Sequence, residues 1–223
     1  MSLVVALLGA ESTGKTTLAQ ALATALAIDG RSVALVPEYL REFCDAYGRT
    51  PQQDEQAHIA AEQTRRIALA ASTHDLVIAD TTALMIAVYS DTVFGDTSLY
   101  ASAEAAHRGV CGLTLLTALD LPWLADGLQR DGPHVREPVD ALVRAALARA
   151  DTAYSVVFGR GDARVQAALA SVQRALAPRA ALDDADDATN PRWHWHCERC
   201  GDANCERHAR LPKLGVRGEN GTR

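Results

Sequence analysis

Eight consecutive residues near the N-terminus have the types and spacing of a phosphate-binding loop. The stretch Gly9-Ala10-Glu11-Ser12-Thr13-Gly14-Lys15-Thr16 fits the pattern G-x-x-x-x-G-K-[S/T] at every fixed position. In such a loop, backbone N–H groups point at the phosphates of a nucleotide, and the dipole of the following helix favours negative charge. We expect Lys15 to reach the β- and γ-phosphates and the Thr16 hydroxyl to bind Mg²⁺. The predicted ATP-binding residues are Gly9, Ala10, Glu11, Ser12, Thr13, Gly14, Lys15, Thr16 and Thr17.

The segments that flank this loop are those that a phosphate loop requires. Residues 3–8 are a short apolar run typical of a buried strand, and residues 17–28, rich in Ala and Leu, predict a helix. Lys15 is one of only two lysines in the chain, so a compact positive charge stands where phosphate binding needs one. The alternative is a chance match in a loop rich in Gly and Ala.

Two further predicted strands end in residues that could do chemistry. Residues 31–36 form the first of them, and Glu38, Tyr39 and Arg41 follow it directly. Ligands of open α/β sheets bind outside the carboxyl ends of the strands, so we expect these side chains to face that crevice. Glu38 is the predicted group that accepts or orients the proton of an acceptor hydroxyl, and Arg41 is predicted to bind substrate or phosphate.

The second of these strands, residues 74–80, is apolar and ends in Asp80. A carboxylate at this strand end, paired with a phosphate loop, can hold Mg²⁺ directly or through water. We therefore predict Thr16 and Asp80 as the magnesium residues. The alternative is that Asp80 caps the helix that starts near Ala83, and both roles can hold together.

A polar segment punctuated by Gly and Pro, residues 122–136, is longer than a plain strand-to-helix turn. This length predicts a mobile lid over the crevice. Arg130 and Arg136 are its cations, and phosphoryl transfer needs fixed positive charge where the equatorial oxygens of the phosphate build up negative charge. The alternative is that both arginines are solvated or ion-paired on the surface.

The remaining periodicities complete an α/β pattern. We predict further strands at residues 113–118 and 152–158, and helices at residues 53–72, 83–107, 138–150 and 162–177, with the second helix broken around residues 94–96. Residues 44–52 are predicted as a loop. Tyr89, Phe94 and Tyr100 could line a pocket for a flat ring, although such residues more often belong to the core. The predicted fold is a three-layer α/β domain with a five-stranded parallel sheet and helices on both faces.

Composition limits the classes of function. The hydrophobic content of 48% and charged content of 22% are those of a soluble globular protein. The net charge is −6, and residues 1–177 carry 14 Lys and Arg against 20 Asp and Glu, which argues against a nucleic-acid partner. No apolar run reaches 18 residues and no signal-peptide pattern opens the chain, so we expect no membrane span and a cytoplasmic location.

A cluster of Cys and His residues lies near the C-terminus. Cys197, Cys200, Cys205 and His208 have the spacing C-x2-C-x4-C-x2-H, which predicts a structural Zn²⁺ site. His194 and His196 are alternative candidates for the fourth ligand. The alternative to a zinc site is a redox-active or metal-free coil. We divide the chain into a domain of residues 1–178 that binds ATP, an acidic linker at 179–192, a zinc knuckle at 193–210 and a flexible tail at 211–223.

Four segments together resemble the kinase domain of the NAD-biosynthesis regulator family, a ribosylnicotinamide kinase among the P-loop AAA and nucleoside kinases. They are the phosphate loop, Pro37-Glu38-Tyr39-x-Arg41-Glu42, Asp80-Thr81 and Pro122-Trp123-x-x-Asp126-Gly127. The resemblance spans about residues 3–177 and implies phosphorylation of the 5′-hydroxyl of nicotinamide riboside by ATP. The substrate residues it implies are Glu38, Tyr39, Arg41, Asp80, Trp123 and Asp126. The lid departs from the family pattern, because Leu128 and Gln129 follow the Asp-Gly pair and the arginine comes only at position 130.

The sequence leaves three functions open. The first is the small-molecule kinase, with Lys15, Glu38, Asp80, Arg130 and Arg136 as its catalytic residues. The second is a regulatory ATP-binding or ATPase module whose C-terminal segment meets a protein partner or a second copy of the chain. The third is a P-loop kinase for another nucleoside or nucleotide. No H-x-G-H nucleotidyl-transfer motif occurs, so we do not expect this chain to make NAD from the mononucleotide by itself.

Overall fold

A computed structural model describes residues 2–28, 30–124 and 132–177 of the protein. The strands are β1 Leu3–Leu8, β2 Val33–Val36, β3 Leu76–Asp80, β4 Leu113–Thr117 and β5 Ser155–Val157. The helices are α1 Lys15–Ala27, α2 Tyr39–Tyr47, α3 Gln56–Thr73, α4 Ala83–Phe94, α5 Tyr100–Val110, α6 Arg136–Arg149 and α7 Gly161–Leu176. Short 3-10 helices at Gln53–Glu55 and Pro133–Val135 lead into α3 and α6.

The five strands form one parallel sheet in the order β2-β3-β1-β4-β5. Strand β1 is central and pairs with β3 so that Leu7 lies opposite Asp80. On its other side, β1 pairs with β4 so that Leu8 lies opposite Leu116. All carboxyl ends therefore lie at one edge of the sheet, where the phosphate loop follows β1, Glu38 follows β2 and Asp80 ends β3.

Alternate residues of the strands pack against different helix layers, because side chains of a strand point to opposite faces of the sheet. Leu7 and Leu115 pack in a buried cluster with residues of α1 and α7. Leu8 and Leu116 lie in a second cluster with residues of α4 and α6. This three-layer α/β arrangement, with helices on both faces, confirms the predicted architecture of the domain.

Helix α2 is the main departure from the predicted elements. Residues 44–52 were expected as a loop, but the helix continues through Tyr47 and ends at Gly48, whose φ of 64° suits a glycine C-cap. Within α2, the side chains of Phe43 and Cys44 are buried. The expected break near residue 95 is confirmed, since α4 ends at Phe94 and Gly95 follows with a φ of 67°.

Several predictions fall on residues that the structure does not describe. They concern residues 125–131 of the lid and the linker, zinc knuckle and tail after residue 177, which lie outside the described ranges. Among the described helices, none is long and apolar enough to cross a membrane. The same residues contain no group of three or more His, Cys, Asp or Glu side chains that could hold a metal ion.

Candidate active site

The loop of residues 9–16 connects β1 to α1 and depends on its two fixed glycines. Gly9 has a φ of 145°, and a Cβ at this position would collide with the side chain of Thr117. Gly14 has a φ of 77° and is the N-cap of α1. The helix thus begins at Lys15, two residues earlier than predicted, and its N-terminus points into the loop. Thr16 is half-buried and Thr17 exposed in the first turn.

The side chain of Lys15 is folded under the loop. Its Nζ donates hydrogen bonds to the carbonyl oxygens of Gly9 and Ala10 at 2.8 and 3.0 Å. Burial lowers the pKa of this ammonium below its ordinary 10.5, while the carboxylates of Glu38 and Asp80 act in the opposite direction. The ammonium group of Lys15 thus lies against the loop backbone, close to the carboxylates of Glu38 and Asp80.

A network that sequence reasoning missed braces the loop from beneath. The Thr13 hydroxyl lies 2.7 Å from that of Thr117, and the Thr13 carbonyl accepts a hydrogen bond from Arg164 Nη2 at 2.8 Å. Arg164 Nη1 also donates to Asp120 Oδ1 at 2.8 Å, and the backbone N–H of Gly159 donates to Asp120 Oδ2 at 2.6 Å. The ends of β4 and β5 and the start of α7 therefore hold the loop backbone in place. The available indication was that Asp120 follows a predicted strand end.

Glu38 and Arg41 meet beside the loop, just after the end of β2. Glu38 is 5% exposed, and Arg41 Nε donates to its Oε2 at 2.9 Å. Burial raises the pKa of Glu38 above its ordinary 4.5, whereas Lys15 and Arg41 oppose that rise. A carboxylate with a raised pKa is a stronger base than one in water, which is what proton acceptance from a hydroxyl requires.

Asp80 ends β3 next to the loop and is almost completely buried, with 2% of its surface exposed. Its Oδ1 has no hydrogen-bond partner among the described residues. The chain then turns sharply at Thr81, whose φ is 86°. Thr82, rather than Asp80, caps α4, since its hydroxyl accepts the backbone N–H of Leu84 at 3.3 Å. The carboxylate of Asp80 is therefore not used as a helix cap and is left for another partner, for which its oxygen chemistry suits Mg²⁺.

The described start of the predicted lid lies over the phosphate loop. The Ser12 hydroxyl accepts the backbone N–H of Leu124 at 2.7 Å and donates to its carbonyl at 3.3 Å. Arg136, in the first turn of α6, is buried and donates from Nη1 to the carbonyl of Leu121 at 2.9 Å. Trp123 is half-buried between these contacts. The other two predicted lid residues, Asp126 and Arg130, lie outside the described ranges.

A cavity of about 470 Å³ opens directly from the phosphate loop. It begins at Glu11, Lys15, Glu38 and Arg41 and is closed by the residues Leu40, Cys44, Arg49, Thr50, Pro51, Gln52, Gln53, Gln56, Tyr89, Val93 and Phe94. The cavity thus lies between α2, α4 and the segment that leads into α3. Its size is that of a typical small-molecule site.

The aromatic residues divide between the cavity and the core. Tyr89 and Phe94 line the cavity, and burial together with Glu38 and Glu11 raises the pKa of Tyr89 well above 10. Tyr100 does not line it, because its hydroxyl donates to Asp91 at 2.9 Å. Tyr39, a predicted substrate residue, has its ring under the guanidinium of Arg66 at 4.4 Å, on the side of α3.

Comparison with known proteins agrees with this fold. A NadR protein in complex with NR has a TM-score of 0.63 and 20% identity, over 80% of this chain and 52% of that one. A NadR protein in complex with NAD and AMP-PNP has a TM-score of 0.60 and 19% identity, over 87% and 52%. This chain thus spans about half the length of either protein. At this identity the likeness shows the fold alone.

Comparison at the level of sequence places the chain in a family. A search of the curated proteins finds none that matches. The sequence model of the AAA domain matches residues 4–164, which include the phosphate loop, Glu38 and Asp80. The predicted resemblance is therefore confirmed for the P-loop AAA domain by this match and for the fold by the solved structures. Because this match covers well over half of the 223 residues, the chain belongs to the AAA domain family, as a P-loop member.

Proposed function

We propose that the protein is an ATP-dependent small-molecule kinase that phosphorylates the 5′-hydroxyl of nicotinamide riboside. The observation that carries the proposal is the continuity of two sites. The 470 Å³ cavity opens on Lys15 of the phosphate loop and on Glu38, so an acceptor in the cavity would present its hydroxyl beside the terminal phosphate. A regulatory ATP-binding module has no need of such a cavity.

Each group at this junction has a chemical role in the proposal. Loop N–H groups and Lys15 hold the phosphates, and Glu38 takes the proton from the acceptor hydroxyl as its oxygen bonds to the γ-phosphorus and the bond to ADP breaks. Thr16 and Asp80 would hold Mg²⁺, which neutralises phosphate charge when bound. Arg41 reaches the same junction through its hydrogen bond to Glu38. Arg136 and Arg130 are the proposed cations of the lid.

The choice of nicotinamide riboside rests on resemblance and on the shape of the cavity. The phosphate loop and the segments at Glu38, Asp80 and Trp123 resemble those of ribosylnicotinamide kinases, and one of the similar solved structures is a NadR protein in complex with NR. The side chains of Tyr89, Val93 and Phe94 give the cavity an apolar wall that suits a flat ring.

The proposal is tested with the purified chain, ATP, Mg²⁺ and nicotinamide riboside, by following formation of the mononucleotide. We expect the wild type to form the mononucleotide. Lys15→Ala should lose this activity while its circular dichroism spectrum shows that the fold is retained. If only another nucleoside is phosphorylated, the proposed acceptor is wrong but the proposed enzyme class, a small-molecule kinase, still holds. Hydrolysis of ATP without any acceptor phosphorylation would contradict the proposal and favour the regulatory module.

A further inference from the structure

Gln56 is a buried amide in the wall of the cavity, at the start of α3. Its side chain is 4% exposed, and its Oε1 has no hydrogen-bond partner among the described residues. Buried polar atoms are nearly always paired, because an unpaired one loses its bonds to water without replacement. An unpaired acceptor in a cavity wall therefore indicates a ligand that brings the donor.

We propose that Gln56 Oε1 accepts a hydrogen bond from an N–H group on the ring of the acceptor nucleoside. The inference rests on the proposed kinase function and adds the chemical feature that the ring must carry. That feature is a neutral N–H donor, such as a carboxamide or an exocyclic amine, on the edge of the ring remote from the sugar.

The position of Gln56 along α3 selects the ring rather than the sugar. Gln63, two turns further along the same face, contacts the ends of β2 and β3, since its Nε2 lies 3.3 Å from the carbonyl oxygens of Pro37 and Thr81. Seven residues of α-helix rise about 10 Å. Gln56 therefore lies roughly that far from the strand ends, where Glu38 follows Pro37 and the reacting hydroxyl must be. A sugar with an attached ring extends over a comparable length.

The charges near Gln56 favour a neutral ring substituent over a carboxylate. Arg49 also lines the cavity, but Nη1 and Nη2 of its guanidinium donate to the two oxygens of Glu55, each at 2.7 Å. Its positive charge is thus already balanced by a bidentate ion pair. A ring carboxylate beside Gln56 would therefore gain little from Arg49, whereas an amide N–H would meet the oxygen of Gln56.

The experiment compares two ribosides that differ only in the carboxamide: nicotinamide riboside and the riboside of unsubstituted pyridine. The enzymes are the wild type, Gln56→Leu, Gln56→Glu and Gln20→Leu, a control on the exposed face of α1. We expect the wild type to prefer nicotinamide riboside in kcat/KM by about tenfold, the worth of one hydrogen bond. Gln56→Leu should bring this ratio close to one by raising KM for nicotinamide riboside. Gln56→Glu, which keeps an acceptor oxygen, and Gln20→Leu should retain the preference.

Thermal unfolding gives a second readout that a structural role would not produce. Because Gln56 Oε1 is buried without a hydrogen-bond partner among the described residues, Gln56→Leu should leave Tm unchanged or raise it. A lower Tm with an unchanged preference for nicotinamide riboside would overturn the inference and make Gln56 a structural residue.

Failure of the inference and failure of the proposed function give different results. If the wild type phosphorylates adenosine but not nicotinamide riboside, the proposed acceptor is wrong. The role of Gln56 is then tested by comparing kcat/KM for adenosine with kcat/KM for purine riboside, which lacks the exocyclic amine, in the wild type and in Gln56→Leu. If no nucleoside is phosphorylated, the role of Gln56 is tested by calorimetry, which measures the binding of nicotinamide and of pyridine to the protein. Equal binding of the two compounds, or no binding of either, overturns the inference.

Discussion

The ionisable groups around the phosphate loop carry both signs of charge, and Lys15, Glu38 and Asp80 among them are buried. Lys15 and Arg41 stand against Glu38 and Asp80 around one junction, and burial works against the charged form of both Lys15 and Glu38. Neither pKa shift would persist if the groups were exposed, because water would then solvate the charged forms. The site therefore has a base that holds its proton more readily than a surface carboxylate, next to a cation that must meet phosphate.

Replacing Glu38 by Gln should separate proton transfer from ATP binding. The amide keeps the size of the side chain but cannot accept the hydroxyl proton, so we expect kcat to fall by about 10²-fold or more with KM for ATP little changed. Steady-state kinetics with the acceptor that the wild type phosphorylates measures both constants. Glu42→Gln, in the first turn of α2 and paired with Arg66 at 2.7 Å, is the matched control and should retain wild-type kcat. A Glu38→Gln enzyme with wild-type kcat would make the Glu38 carboxylate a structural group.

The raised pKa of Glu38 also predicts the acid side of the pH profile. A base works only when deprotonated, so the rate should fall as pH decreases through a pKa above the ordinary 4.5. In Glu38→Gln this acid limb should disappear from the residual rate, because the titrating group is gone. Measurement of kcat/KM against pH, which reports the groups of the free enzyme, checks this for both enzymes, and the same limb in the variant would assign it to another group.

Helix α2 shows why one element was missed by prediction. Asp45, Gly48 and Pro51 are turn-forming types, which favour a loop over residues 44–52 in the local pattern. The structure adds tertiary packing that the local pattern lacks: Phe43 is buried in the core and stacks on Tyr47 with ring centroids 4.4 Å apart. This packing outweighs weak local propensity. The consequence reaches the site, because α2 forms one wall of the cavity.

His107 joins three elements in the layer behind the site. It lies in the last turn of α5, its Nδ1 is 3.1 Å from the hydroxyl of Thr82, which caps α4, and its Nε2 is 2.9 Å from that of Thr114 on β4. Burial lowers the pKa of His107 from 6.5 to about 4. The neutral imidazole is therefore the form that the fold stabilises.

This shift gives a stability prediction with a definite sign. As pH falls below 6.5, the unfolded chain takes up the proton first, so the contribution of His107 is complete above 6.5 and is lost towards pH 4. The loss approaches about 3 kcal/mol in the free energy of unfolding. Urea unfolding at pH 7.5 and 5 should show a smaller pH dependence in His107→Gln than in the wild type. His58→Gln, at an exposed histidine, should behave as the wild type, and equal slopes for all three proteins would refute the assignment.

At the scale of the whole domain, the local sequence pattern predicts the layers of the fold but not the contacts between distant segments. Strand order aside, the pattern of apolar strands and helices predicted the three-layer fold, and the strand ends at Glu38 and Asp80 are indeed at one edge of the sheet. The far end of the cavity could not be predicted, since Gln56, Arg49 and Val93 come from separate elements that only the tertiary fold brings together. Arg164 was missed for the same reason, because its contact with Thr13 spans most of the domain sequence.

The Cys and His cluster remains a prediction about the part of the chain beyond the described residues. Cys197, Cys200, Cys205 and His208 supply the donor types of a closed zinc site, which has no open position for chemistry. It also follows the matched AAA region, which ends at residue 164. The expected role is therefore local stability of the C-terminal segment, separate from phosphoryl transfer.

Metal analysis of the full chain, purified without an affinity tag, tests this separation. We expect about one Zn²⁺ per chain, since four ligands make one tetrahedral site. Cys197→Ser should lose the metal, because a hydroxyl does not replace a thiolate, while Cys111→Ser, outside the cluster, should keep it. Acceptor phosphorylation should be equal in Cys197→Ser and the wild type. A metal-free wild type would refute the zinc site, whereas turnover that falls together with zinc would show that the C-terminal segment acts on the kinase domain.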